Sequence, residues 1–381
     1  MKILMITNLF PPHFIGGYEL SCQEVTNYFH EQGEELFVLC GDYKKDEEVS
    51  APYPVSRKLQ YIDYLGDDYW QKSRVEKYNY ALTTQILEEF QPDFVYFFNQ
   101  QYITLAPYWA VSKKKLPHIF DIGDMWPDKY YRDGFKGKSK AFAKRILPNF
   151  IEAKMEIDPV IILSEWMRPF LKNKFHAKSI TCIPRGVQIK DITRDFSKLD
   201  SVKLMFSSRL DPVKGLHVII GVLANLQDLK WTLDVYGSGS DEYVAQINKL
   251  IDDNNLNDRI TLNGKVYPLD EAYKSHHVCL FPTLGDEGFG RVAIEAMSFG
   301  LPVLTVNKFG PNDVVEHGYT GFKCPKEDLS CWEKHLRILL SDRELLNQMS
   351  KNALKTIKEE YDINVTSQKR YVLIKEIYNS K

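Results

Sequence analysis

The chain has 381 residues, 44% apolar and 26% charged, with a formal net charge of −2. That length exceeds one ordinary core and suits two domains. The near-neutral balance gives no global pull toward nucleic acid, and no apolar run approaches the roughly 20 residues needed to span a bilayer.

Residues 2–7 (KILMIT) read as a first buried strand. A signal peptide is the competing reading, but the apolar run is short and Pro11-Pro12 stands where a small-residue cleavage site belongs. Further short apolar runs at 35–40, 94–98, 117–121 and 159–163 read as strands, with helical stretches near 18–32, 73–90 and 138–156 between them. Gly33 falls where a helix C-cap glycine belongs. His118 lies inside its strand and reads as structural. The rhythm restarts at 203–207, followed by a helix at 214–226 and strands at 231–236, 259–264 and 277–282. Continuous apolar strands alternating with helices argue for an α/β chain with parallel sheets covered on both faces.

The polar stretch 188–202 is the linker candidate. It divides the chain into residues 1–187 and 188–363, and a last helical segment over 364–381 is a candidate to cross back onto the first domain. Two such domains would present the carboxyl ends of their strands to a shared central cleft, where ligands of open α/β sheets bind. The six cysteines are scattered without a Cys-x-x-Cys pair. They read as free buried thiols of a reducing cytoplasm, with no structural zinc site and no catalytic cysteine.

Four segments carry chemistry. PPHFIGGYE (11–19) follows strand one and opens a helix; Gly16 and Gly17 permit close backbone approach, and the helix N-terminus suits a diphosphate. A purely structural Gly-Gly turn is the alternative. FSSRLDPVKG (206–215) places Arg209 and Lys214 at a strand's carboxyl end, as phosphate-binding cations or as solvated surface charges. VYGSGSDEY (235–243) reads as a plain strand–helix turn with a phosphate contact second. DEGFGRVAIEAMSFGLPV (286–303) sets Glu287 at a helix entrance and Glu295 about two turns in, with Gly300 and Pro302 ending the helix. Isolated charges in an apolar setting cost several kcal/mol unless paired or bound. The two carboxylates are therefore either solvated or holding a polar ligand.

Glu287-x7-Glu295, with Gly288-Phe289-Gly290, Glu295-Ala296-Met297 and Gly300-x-Pro302-Val303, resembles the signature of retaining glycosyltransferases of the GT-B fold, specifically the large fourth family. Pro11-Pro12, Gly16-Gly17, Ile183-Pro184-x-Gly186-Val187, Ser208-Arg209-Leu210, Lys214-Gly215 and Gly318-x-x-Gly321 extend the likeness over nearly the whole chain. The resemblance implies two Rossmann-like domains facing a central cleft. The first would be acceptor-side; the second would bind a nucleotide-diphosphate sugar, with UDP or GDP as the nucleotide and no separate cofactor. Arg209 and Lys214 would bind the diphosphate, helped by the Gly16-Gly17 loop. Glu287 and the backbone of Gly288, Phe289 and Gly290 would hold the donor sugar. Glu295 would hold the ribose, and the nucleobase would lie near Lys265 and Val266.

There are departures from the pattern. Ser208 replaces the usual glycine, Arg185 stands where asparagine is common, and Pro311 and Asp313 replace a frequent Gly and Glu. Many members carry His-Asp where this chain has Gly123-Asp124, and Asp124 and Trp126 resemble an Asp-x-Trp-Pro variant of transferases with lipid-linked or polysaccharide acceptors. Asp124 is thus the candidate acceptor-hydroxyl partner. The family expectation is a front-side retaining transfer to a glycan, polysaccharide-precursor or lipid-linked acceptor, metal-independent because no Asp-x-Asp motif appears and two cations serve the diphosphate.

Two other readings stay open at this stage. A glycoside hydrolase would use Glu287 and Glu295 as its pair but has no use for Arg209 and Lys214. A nucleotide-sugar-binding protein without activity would be told apart by donor turnover. Residues 136–150 interleave cations with Phe142, Ile146, Leu147 and Phe150. This reads either as a solvated helix face or as weak peripheral contact with the inner face of a membrane.

Overall fold

The computed structural model describes residues 1–43, 51–63, 69–130 and 156–380. The predicted helix at 138–156 lies outside the described residues except for Glu156, and so does the basic stretch 136–150. The chain forms two compact units: Met1–Pro184 with Thr366–Lys381, and Arg185–Val365.

The first unit holds a seven-stranded, all-parallel sheet. Its strands are β1 (Lys2–Ile6), β2 (Glu35–Gly41), β3 (Val55–Leu59), β4 (Phe94–Phe97), β5 (His118–Ile122), β6 (Val160–Ile162) and β7 (Ile180–Cys182), ordered β3-β2-β1-β4-β5-β6-β7. Because side chains alternate along a strand, the sheet feeds two cores. Ile3, Met5, Val38, Phe94, Tyr96, Ile119 and Ile161 pack on one face. Leu4, Ile6, Leu39, Val95, Phe97, Phe120 and Ile162 pack on the other. Burial on both sides explains the uninterrupted apolar runs.

The first face is completed by the closing helix Ile363–Asn379, whose Ile374 is fully buried in that core. Thr366, Arg370 and Ile374 are buried at helical spacing. Arg370 is 1% exposed and Asp121, in β5, 0%. Arg370 Nε donates to Asp121 Oδ2 at 2.9 Å, and its two terminal nitrogens donate to the carbonyls of Pro184 (2.9 Å), Thr366 (3.2 Å) and Ile183 (2.8 Å). Tyr96 Oη donates to the same carboxylate oxygen at 2.8 Å. At the other end of the helix, Lys375 Nζ donates to Glu34 at 2.6 Å and Tyr371 Oη donates to the same oxygen.

The second unit holds a six-stranded parallel sheet: β8 (Val202–Ser207), β9 (Trp231–Tyr236), β10 (Ile260–Leu262), β11 (Val278–Phe281), β12 (Val303–Val306) and β13 (Gly321–Cys324), ordered β10-β9-β8-β11-β12-β13. The polar stretch 188–202 packs within this unit. Phe196 is 2% exposed, and the Arg194 guanidinium donates to the carbonyls of Phe299 at 2.8 Å and Tyr273 at 2.5 Å. The outgoing and returning segments pair here too, with Val187 N donating to Tyr361 O at 2.8 Å and Ile363 N to Val187 O at 3.0 Å.

The expectation that all six cysteines are free thiols is corrected. Cys324 ends β13, Cys331 lies in the first turn of the helix Leu329–Ser341, and the two form a disulfide with Cα atoms 5.8 Å apart. The strand-to-helix turn folds a seven-residue spacing back on itself. Cys22, Cys40, Cys182 and Cys279 are in no disulfide, and burial pushes the Cys40 thiol up to about 12.

Removing one partner of a buried ion pair strands the other charge, at a cost of about 3–5 kcal/mol. Arg370→Ala should therefore lower the stability of the first unit by that amount, read from the urea midpoint of its tryptophan and tyrosine signals. Asp121→Asn should cost less, because the amide oxygen still accepts from Arg370 and Tyr96.

Candidate functional site

Each unit carries its own group of chemistry-bearing residues at the carboxyl ends of its strands. In the second unit, β8 ends in Ser207 and the chain runs through Arg209 into a short turn, Pro212–Lys214. Asp211 caps that turn, its carboxylate accepting from Val213 N at 2.9 Å. Leu284 N donates to Val213 O at 2.7 Å, which ties the turn to the segment after β11. The tie places Lys214 beside Glu287: their side chains are 18% and 22% exposed, and Nζ donates to Oε2 at 2.7 Å.

Glu287 O accepts from Gly310 N at 2.9 Å, bracing the Gly288-Phe289-Gly290 loop from behind. Phe289 is buried against Tyr361. Gly290 caps the helix Arg291–Ser298 at φ +94°, a left-handed conformation that glycine adopts at no steric cost. One turn into that helix, Glu295 accepts from Arg291 Nε at 2.6 Å and from Tyr273 Oη at 3.3 Å. Burial, then the Glu295 charge, holds the Tyr273 hydroxyl well above the usual phenol range, so it stays a donor. Its ring stacks on Phe299 at 5.3 Å.

The structure thus brings Lys214 to Glu287 and builds Glu295 into a three-residue cluster. Arg209 is exposed and Val266 is 43% exposed in the segment after β10. Arg291 and Tyr273 were not singled out from the sequence. Arg291 was legible in principle, since a cation four residues before a glutamate on one helix pairs with it. Tyr273 was not, because its reach to Glu295 is tertiary.

In the first unit, Gly16 caps the helix Gly17–Glu31, and Glu19 Oε2 accepts from Gly16 N at 3.0 Å. Glu19 is only 4% exposed. Burial pushes its carboxyl above the usual carboxylate range, and the nearby Asp124 charge adds to the rise. Asp124 follows β5 and its Oδ1 accepts from Trp126 N at 2.8 Å, opening the turn Trp126–Lys129. His118 sits within β5, its Nδ1 3.0 Å from Leu116 O and its ring edge-on to Phe97.

Among the described residues, one group could hold a metal by residue type: Cys324, Cys331 and His335, whose ligand atoms lie within 4.8 Å of one another. Its two sulfurs are joined in the disulfide, which leaves no thiolate to coordinate a cation. No helix among the described residues is long and apolar enough to cross a membrane.

Two parallel sheets of seven and six strands, one in each unit, give the α/β architecture of the GT-B fold. The chain belongs to glycosyltransferase family 4: residues 15–191 match the model described as Glycosyltransferase Family 4, and residues 188–356 match Glycosyl transferases group 1. It is 25% identical over 357 residues to an uncharacterized glycosyltransferase of Haemophilus influenzae, covering 91% of this chain and 93% of that one. It is 27% identical to the poly(ribitol-phosphate) alpha-N-acetylglucosaminyltransferase of Staphylococcus aureus over 55% of this chain and 42% of that protein. The structure of HepE from Anabaena, solved in complex with UDP and glucose, superposes with a TM-score of 0.75 at 21% identity, covering 99% of this chain and 100% of that one. At that identity the likeness speaks for the fold.

Glu19 supplies a pH test. Its folded pKa is raised, so its contribution to stability is fully present below the unfolded value near 4.5 and is lost as pH rises through the folded value. Glu19→Gln keeps an oxygen for Gly16 N and removes the charge. The variant should match the wild type in urea midpoint near pH 4 and exceed it at pH 8.

Proposed function

We propose that the chain is a retaining, metal-independent glycosyltransferase that moves a sugar from a nucleotide-diphosphate sugar to a glycan, polysaccharide-precursor or lipid-linked acceptor. The observation that carries this reading is the Lys214–Glu287 pair at 2.7 Å, set in a chain that belongs to a glycosyltransferase family. An ammonium offers three donors and a carboxylate about four acceptor positions. Lys214 can therefore hold Glu287 and a phosphate oxygen together, while Glu287 holds Lys214 and sugar hydroxyls. Glu295 likewise keeps acceptor capacity for ribose hydroxyls beyond Arg291 and Tyr273. The UDP in the HepE structure supports UDP as the nucleotide.

In this reading Arg209 and Lys214 stabilise the charge that builds on the leaving diphosphate. The bond from the anomeric carbon to that diphosphate breaks as the acceptor oxygen bonds on the same face, and the acceptor proton passes to the diphosphate oxygen. Asp124 orients the acceptor hydroxyl. The protein's contribution is positioning and charge stabilisation, so neither glutamate is a nucleophile. A glycosidase needs only a carboxylate pair flanking a sugar and has no use for phosphate-binding cations, whereas Lys214 lies against Glu287 here.

Calorimetric titration with UDP and GDP separates the two glutamates. Glu295→Gln should weaken the preferred nucleotide about ten- to a hundred-fold, the worth of one charge-assisted hydrogen bond. Glu287→Gln should leave nucleotide affinity within about twofold and lower the transfer rate instead. Unchanged nucleotide affinity in Glu295→Gln removes the ribose assignment.

Transfer from UDP-sugar should also survive EDTA, with two cations in place of a metal ion. Complete loss restored by magnesium or manganese overturns the metal-independent part.

A further inference from the structure

Tyr18 lies beside the two glycines of the first loop, and its side chain reaches across the carboxyl ends of the sheet. Its hydroxyl donates to Asp121 O and accepts from Gly123 N at 3.0 Å. Its ring packs edge-on to Phe98, just beyond β4, with centroids 6.0 Å apart. A Cβ on residue 123 would overlap the Tyr18 ring, with Cε2 the nearest atom and Cζ still only 3.1 Å away. Gly123 is not among the residues with positive φ, so its backbone suits any residue and the ring of Tyr18 is the steric obstacle. The space a side chain at 123 would fill is therefore occupied by a side chain from another element.

We infer that Tyr18 is the positioning residue for the acceptor side of the reaction: its phenol clamps the Gly123-Asp124 turn, and its ring forms the wall that a side chain at 123 would otherwise provide. This rests on the transferase reading with Asp124 as the acceptor-hydroxyl partner. The clamp works through two peptide groups on either side of Ile122. The phenol fixes Asp121 O and Gly123 N, and the next residue, Asp124, is then held by its bond to Trp126 N at 2.8 Å. Three points around the turn are tied, so the Asp124 carboxylate presents one orientation. Loss of a hydrogen bond in a partly enclosed site and the resulting displacement of a reacting group are each felt in rate.

The test uses the full chain, UDP-glucose as donor, and a panel of octyl glycosides (glucoside, galactoside, N-acetylglucosaminide) as acceptors, with the panel member the wild type uses best carried forward. Tyr18→Phe keeps the ring and removes the clamp. It should raise acceptor KM or lower kcat so that acceptor kcat/KM falls about five- to thirty-fold, with UDP affinity by calorimetry within about twofold. Gly123→Ala should lose both melting temperature and acceptor kcat/KM. Gly123→Ala with Tyr18→Ala should melt higher than the sum of the single effects, because the overlap is gone.

Acceptor kcat/KM within about twofold of wild type in Tyr18→Phe, at normal UDP affinity, shows that Tyr18 is only structural and overturns the inference. A double variant no better than additive overturns the steric part. A wild-type chain that binds no nucleoside diphosphate overturns the transferase reading and takes this inference with it; normal nucleotide binding with an unaffected Tyr18→Phe sinks this inference alone.

Discussion

The buried ion pair between Asp121 and Arg370 is the constraint on which the first unit depends. A carboxylate at 0% exposure in a central strand is tolerable only with a matched cation and further donors, and Arg370 and Tyr96 supply both. The same guanidinium takes up the carbonyls of Ile183 and Pro184, where the chain leaves the unit. One side chain thus satisfies the strand, the exit and its own helix. It lies next to the Gly123-Asp124 turn, because the backbone of Asp121 is the group that Tyr18 holds.

The second unit solves its charge problem differently. Lys214, Glu287, Arg291 and Glu295 are part-buried, and each carboxylate meets a cation from its own unit. Partial exposure leaves lone pairs and protons available to a ligand, whereas the buried pair of the first unit uses its donors internally. The contrast separates a cluster with acceptor and donor capacity to spare from one whose capacity is spent inside the fold.

Much of this was legible in the residues, for identifiable reasons. Strands buried on both faces show as unbroken apolar runs, so β1, β4, β5 and β11 stand out. The strands not anticipated are β3, β7, β12 and β13, and of these β3, β7 and β13 are sheet edges. An edge strand pairs on one side only and keeps polar residues, as VSRKL does. β12 is central, but it starts at Val303, directly after the Gly300-x-Pro302 stop signal, so its beginning reads as the end of the preceding helix. The two glutamates and the glycines between them were readable from spacing and helix-stop chemistry. Their partners were not, because Lys214 reaches Glu287 across 73 residues and Tyr273 reaches Glu295 through packing. The disulfide was hidden for a related reason: a seven-residue separation gives no hint that a strand end and a helix start face each other.

The return of the closing helix makes one unit contiguous in the chain and the other not. The second unit is a single run, Arg185–Val365, whereas the first is completed only by residues beyond it. Since domains fold largely as they emerge during synthesis, the first 184 residues leave the ribosome with Asp121 lacking the guanidinium that its burial requires, and Ile374 absent from the core it fills. Residues made before the second unit are therefore among the last to reach their final packing. An entire second domain is translated between the two halves of one ion pair, so a chain cut short anywhere between Pro184 and Arg370 carries a stranded carboxylate in its N-terminal unit, however complete the second one is.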